Sequence, residues 1–150
     1  TDVYGSFALA GSIFLDVDCD ADFSGRYSLL YGHHMENSQM FGDLDKYRSA
    51  DFLQQTNTGT LLVPGGRYAL RVFACIVVSA SDDLIYQPLQ WQADNVPAML
   101  DRLQADALCV DQAAMDDLRT AQNLKVLCMS TCSSDYTDAR TVVLAAMQLE

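Results

Sequence analysis

The sequence predicts a mainly β domain with short helices, arranged as a β-barrel with helical insertions. Three observations lead there. Six short stretches carry apolar residues at strand-like spacing, Val63-Pro64-Gly65-Gly66-Arg67 is a hairpin signal between two of them, and only three segments place apolar residues at helical spacing.

Along the chain, strands are expected over residues 12–15, 27–31, 60–63, 68–78, 124–129 and 141–147. Between the second and third, Met40, Phe41, Leu44 and Tyr47 recur three and four residues apart, which predicts a helix over 40–47. A longer helix is expected over 96–108, with Asn95 as N-cap, Pro97 in the first turn and Met99, Leu100, Leu103 and Ala107 as the buried stripe. Met115 and Leu118 predict a further short helix. Repeats, low-complexity tracts and interdomain linkers are absent from the sequence, so residues 1–150 are expected to form a single unit large enough to bury most of its apolar surface.

Charge excludes some functions. A net charge of −11 with only two lysines opposes nucleic-acid binding, which depends on cations facing phosphate, and opposes docking on anionic lipid. No apolar run reaches the 18 residues of a membrane span, and the chain does not start like a signal peptide. Asp16-Val17-Asp18-Cys19-Asp20 superficially suggests a calcium loop, but the sixth loop position is Ala21 and the twelfth is Tyr27, so a solvated turn is expected. Metal and cofactor are both expected to be absent. Five cysteines, at 19, 75, 109, 128 and 132, show no paired metal spacing and leave an odd thiol whatever pairs form.

The stretch from 124 to 144 carries the chemistry. Val126, Cys128 and Ser130 alternate with Lys125, Leu127 and Met129, and Thr131-Cys132 lies where Ser133-Ser134-Asp135 breaks the strand. A nucleophilic cysteine acts as its thiolate and needs an accessible position with a base or cation nearby. Cys132 has the position; Cys128, four residues earlier on the same face, reads as core. Arg140 opens the next strand, so a loop over 133–139 that folds back brings guanidinium and thiol to one sheet edge. Upstream, Tyr31-Gly32-His33-His34 ends a hydrophobic strand in the only two histidines of the chain. A cysteine nucleophile needs such a proton carrier, and adjacent histidines on an extended chain face opposite sides, so one of the two serves.

In combination, these motifs resemble the sortases, cysteine transpeptidases of the Gram-positive cell surface, and within them class B. The resemblance is carried by Gly11-Ser12-Ile13-Phe14-Leu15-Asp16, by Tyr31-Gly32-His33-His34-Met35 with Met40-Phe41 and Leu44-Asp45-Lys46-Tyr47, by Tyr68-Ala69-Leu70-Arg71-Val72-Phe73, and by Ser130-Thr131-Cys132 with Arg140-Thr141-Val142-Val143. The family's histidine directly follows the glycine, which selects His33.

The resemblance implies a sortase-type closed β-barrel, of seven or eight strands in the family, with the strands over 27–31 and 124–129 side by side. It implies Cys132 as nucleophile on the threonine carbonyl of a C-terminal sorting signal, His33 as proton carrier and Arg140 as clamp for substrate and oxyanion. Ser130, Thr131, Tyr31, Leu84 and Ile85 would line the peptide groove. The partners implied are a sorting-signal-bearing surface protein or pilin and an amine acceptor, either a peptidoglycan precursor or a pilin lysine. The expected location is the outer face of the cytoplasmic membrane, with the anchor outside residues 1–150. The family's N-terminal helix and one or two strands are expected to be missing, which reads as an N-terminally truncated catalytic domain.

Three departures from the family pattern accompany it. Met129 replaces the usual leucine, a swap that conserves volume; the loop between Cys132 and Arg140 is short; and Ser133 stands where an acidic residue can follow the cysteine. Two alternatives stay open beside transpeptidation: a sorting-signal-binding domain without turnover, and a thiol hydrolase that releases its acyl group to water.

Overall fold

The computed structural model describes residues 4, 6, 12–35, 40–91, 94–123, 125–132 and 138–150, with Cys132 described through its backbone. In chain order the elements are β1 (Phe14–Leu15), β2 (Tyr27–Tyr31), a 3-10 helix (Gly42–Arg48), α1 (Ala50–Gln55), β3 (Thr58–Val63) and β4 (Gly66–Ser79). They continue with a 3-10 turn (Pro88–Gln90), α2 (Val96–Asp106), β5 (Cys109–Val110), α3 (Gln112–Thr120), β6 (Val126–Cys132) and β7 (Ala139–Leu149).

The strands form one sheet in the order β1-β2-β6-β7-β4-β3, with β5 added to β4. Every pairing is antiparallel except β2 with β6. Central β4 and β7 read as near-continuous apolar runs because both of their faces are covered. One face carries Tyr27, Leu29, Val126, Cys128, Val142 and Leu144 beneath α2 and α3. The other carries Val72, Cys75, Val143 and Ala145 beneath Leu44 of the 3-10 helix and Leu53 of α1. In β4 the register shifts between Val72 and Ala74, and the extra residue, Phe73, lets the strand serve both faces with its ring fully buried.

Local chemistry explains the boundaries. Val63 pairs with Gly66 across a two-residue turn in which Pro64 fixes the first corner and Gly65 takes φ 87° at the second, a conformation that glycine adopts without penalty. Ser49 and Asp111 cap α1 and α3 by accepting from the amides of Phe52 and Ala114. The acidic segment after β1 is a turn in which Asp16 Oδ1 accepts from the amide of Asp18.

Several expectations change. The sheet is not closed by hydrogen bonds among the described residues: two-residue β1 ends it on one side and β3 on the other. The expected 40–47 helix is a 3-10 helix beginning at Gly42, because Met40, at φ 54°, pairs with His34 as an isolated bridge instead. Asn95 occupies the N-cap of α2 but makes no side-chain cap bond, and Ala107 is its C-cap while Val96 joins the buried stripe. α1 and β5 were not anticipated. Residues 133–137, most of the expected loop, lie outside the described residues, as do Gly11, residues 36–39 and Leu124.

Candidate active site

β6 runs three residues beyond the strand expected over 124–129, because pairing with β7 continues to its last residue, where Cys132 and Arg140 are Cα partners. Directly opposed residues on neighbouring strands project to the same face. Arg140 shares its face of β7 with Val142 and Leu144, which pair with Ser130 and Cys128 two and four residues further in. Arg140 is half-buried, and its Nη1 donates to the carbonyl of Ala139 at 2.9 Å. On the other flank of β6, Tyr31 of β2 is registered with Ser130, and the Gly32 amide donates to the Ser130 carbonyl at 3.1 Å. The two strands are parallel, so His33 and Cys132 each lie two residues beyond this pair, at the same end of the sheet.

Three aromatic rings border that end. Phe14 stacks on Tyr31 at 5.1 Å and Tyr31 on Tyr86 at 6.1 Å. Tyr86 and Ser130 share a hydrogen bond of 2.7 Å between their hydroxyls, and Tyr31 donates to Asp16 Oδ2 at 2.7 Å. Burial raises the pKa of both phenols; the Asp16 hydrogen bond adds to the rise at Tyr31, whereas at Tyr86 the Ser130 hydrogen bond and the Arg140 charge oppose it. Both are therefore neutral at any physiological pH. The segment carrying Tyr86 is held by Asp82, whose Oδ1 accepts from the amides of Leu84 and Ile85 and whose carboxylate receives Arg102 at 2.8 Å.

The histidines separate as alternation predicts. His33 is exposed, while His34 is half-buried with Nε2 2.8 Å from Asp45 Oδ2. Asp45 Oδ1 accepts from the buried hydroxyl of Thr141 at 2.7 Å. The segment is tightly built: a Cβ on Gly32 would lie 2.4 Å from the Phe41 ring.

Cys132, Arg140, His33, Ser130 and Tyr31 thus collect at one end of the sheet. Thr131 does not join them: its side chain is buried on the opposite face with no hydrogen-bond partner among the described residues. Leu84 is half-buried beside the core; Ile85 is fully buried in it, and its carbonyl accepts from Tyr27 at 3.0 Å. Neither Thr131 nor Ile85 offers an exposed side chain to a groove. Sequence reasoning missed Tyr86, Asp16 and Asp45. Nothing in residue spacing links Tyr86 to Ser130, 44 positions apart, and Asp45 was legible only as part of the Leu44-Asp45-Lys46-Tyr47 motif.

The chain is similar to the sortase B of the type II pilus of Streptococcus pneumoniae, at 32% identity and TM-score 0.78, covering 92% of this chain and 76% of that one. The chain belongs to the class B sortases. A second class B sortase, from Streptococcus pyogenes and involved in pilus biogenesis, is 26% identical with TM-score 0.85 over 98% of this chain and 77% of its own. Sortase B of Listeria monocytogenes is 29% identical over 140 residues, 91% of this chain and 54% of that protein. The chain spans about half the length of the curated relatives it matches. No family model matches it. The sheet described above is therefore a sortase fold, mainly β with short helices, although its hydrogen-bond path does not close among the described residues.

Proposed function

We propose that this sortase domain is a cysteine transpeptidase in which Cys132, His33 and Arg140 carry the reaction. The observation that supports it best is the register: Cys132 opposite Arg140 on β7, with His33 reached from the parallel neighbour β2. The Cys132 thiolate attacks the threonine carbonyl of a C-terminal sorting signal. The oxyanion that forms is stabilised by Arg140, a cation that does not deprotonate. The peptide C–N bond then breaks, His33 gives its proton to the leaving amine, and an acyl-thioester remains on Cys132. An incoming amine attacks the thioester, His33 accepts the amine's proton, and the Cys132 thiolate leaves.

The acceptor we infer is an amine of a pilin subunit, with peptidoglycan cross-bridge amines as the competing class. Two of the similar proteins above serve pili, which supports that order. The domain works on the outer face of the cytoplasmic membrane. No helix among the described residues is long and apolar enough to cross a membrane.

Mass spectrometry tests the proposal. Incubation with a panel of sorting-signal peptides should leave an acyl adduct on Cys132, and a pilin-lysine or oligoglycine amine should convert it to ligated product in excess of hydrolysis. Cys132→Ala and Arg140→Ala should abolish the adduct with the fold intact. No adduct with any peptide would overturn the assignment, and hydrolysis unaffected by amine would replace it with a thiol hydrolase.

A further inference from the structure

Behind the sheet end that bears Cys132 and Arg140 lies a second cluster, which the chemistry proposed above does not use. We propose that Asp45 is a positioning residue: its carboxylate ties His34 and Thr141 together and so fixes the His33 segment against the strand that carries Arg140. The inference rests on the transpeptidase assignment for the role of His33, but its geometry does not.

Each Asp45 oxygen has its own donor, Thr141 Oγ1 on Oδ1 at 2.7 Å and His34 Nε2 on Oδ2 at 2.8 Å. These are lengths typical of charge-assisted hydrogen bonds. Thr141 is fully buried and directly follows Arg140, and the two project to opposite faces of β7. His34 likewise directly follows the exposed His33. One carboxylate therefore grips, from the α1 side of the sheet, the immediate neighbours of two residues assigned to chemistry on the other side. The side chain of Asp45 is about one-third exposed and that of His34 about one-quarter, so solvent moderates the His34 arm, whereas Thr141 is sealed.

The grip is stiff because its frame is. The 3-10 helix that carries Asp45 is joined to the histidines by the Phe41 amide donating to the His33 carbonyl at 3.1 Å and by the His34–Met40 bridge. Gly42 approaches Met35 so closely that a Cβ there would lie 2.1 Å from the Met35 carbonyl oxygen. A helix seated this tightly transmits the position of β7 to His33. Misplacement of a proton carrier by about 1 Å costs on the order of 10²-fold in rate.

The test uses paired variants in the full chain. Thr141→Val should slow acyl-enzyme formation about tenfold with peptide KM within about twofold of wild type, and Thr141→Ser, which restores the hydroxyl, should return it to within about twofold. Asp45→Ala should lose about 10- to 100-fold in the same way. A rate loss that serine does not rescue, or one that appears in KM, would overturn the proposal. Because the chain has only two histidines, the imidazole nitrogen spectrum gives a readout independent of turnover. Thr141→Val and Asp45→Asn should each shift the His33 ring signals and speed exchange of the His34 Nε2 proton. An unchanged His33 spectrum in both overturns the positioning role, even if wild type forms no acyl-enzyme and only the transpeptidase assignment has failed.

Discussion

Thiol reactivity should separate the proposed nucleophile from the other four cysteines, whose thiols burial raises. Cys75 and Cys128 are fully buried, and desolvation pushes each thiol up to about 12. At pH 7 a thiol of that pKa is ionised to about one part in 10⁵, against about 3% for an ordinary cysteine near ~8.5. Ionisation alone therefore slows alkylation roughly 3,000-fold, before any loss of access. Burial also raises Cys19 and Cys109, the two half-buried thiols. Native protein treated with iodoacetamide at pH 7 should thus label first at Cys132, as read by peptide mapping. Cys132→Ala should remove the fast phase, and denaturant should then release four slow thiols together. Labelling of Cys75 or Cys128 within about tenfold of the Cys132 rate, with circular dichroism unchanged, would refute the argument from burial.

Stability offers three further tests. Asp82→Ala removes the acceptor for two loop amides and one partner of Arg102, so unfolding should cost about 2 kcal/mol less and Tm should fall about 4–8 °C. Burial acts to raise the Asp82 pKa, but Arg102 and the Ile85 amide outweigh it and hold the carboxyl below its ordinary value. The unfolded chain then binds more protons, so this contribution is complete above about pH 4 and disappears as pH falls through the folded pKa. Thermal melts of wild type and Asp82→Ala should accordingly converge at low pH; a constant gap would contradict that linkage. Phe73→Ala, at the fully buried bulge of β4, should cost about 3–5 kcal/mol in urea unfolding, and less than 1 kcal/mol would mean the bulge repacks freely. Gly42→Ala should cost about 1–3 kcal/mol and depress adduct formation on Cys132, because its new Cβ meets the Met35 carbonyl; wild-type melting and turnover would show that the 3-10 helix is loosely seated.

Periodicity located what repeats locally. The β2 boundaries, the β3–β4 turn and the buried stripe of α2 follow from alternation, Pro-Gly and three-four spacing. It could not supply what pairing decides. β6 continues to Cys132 because β7 lies beside it, although the residues 130–132 are polar or small. α1 is only six residues long, and its one strong local signal, Ser49 ahead of Phe52 and Leu53, is too brief to show periodicity. The parallel β2–β6 pair joins segments 99 residues apart, and only the family resemblance anticipated it. Cys132, Arg140 and His33 were nameable from motif. Tyr86 was not, and Asp16 and Asp45 stood within motifs without a contact to read, since each meets a partner distant in sequence.

One polar residue explains how a strand buried on both faces keeps its register. Slipping β7 by one residue against β6 would set Arg140 opposite Thr131 and turn it to the other face of the sheet. Apolar alternation resists this weakly, because Val142 and Leu144 on one face and Val143 and Ala145 on the other are all fully buried and all apolar. Thr141 breaks the symmetry. Its hydroxyl finds Asp45 on the α1 face, while the opposite face carries Cys128 and Tyr27 beneath the helices α2 and α3. A slip would break the Thr141–Asp45 bond and strip Asp45 of a charge-assisted donor, at about 1.5–3 kcal/mol. The bond proposed to position the histidine segment therefore also favours the register in which Arg140 is the Cα partner of Cys132, so both halves of the proposed site would depend on one buried threonine.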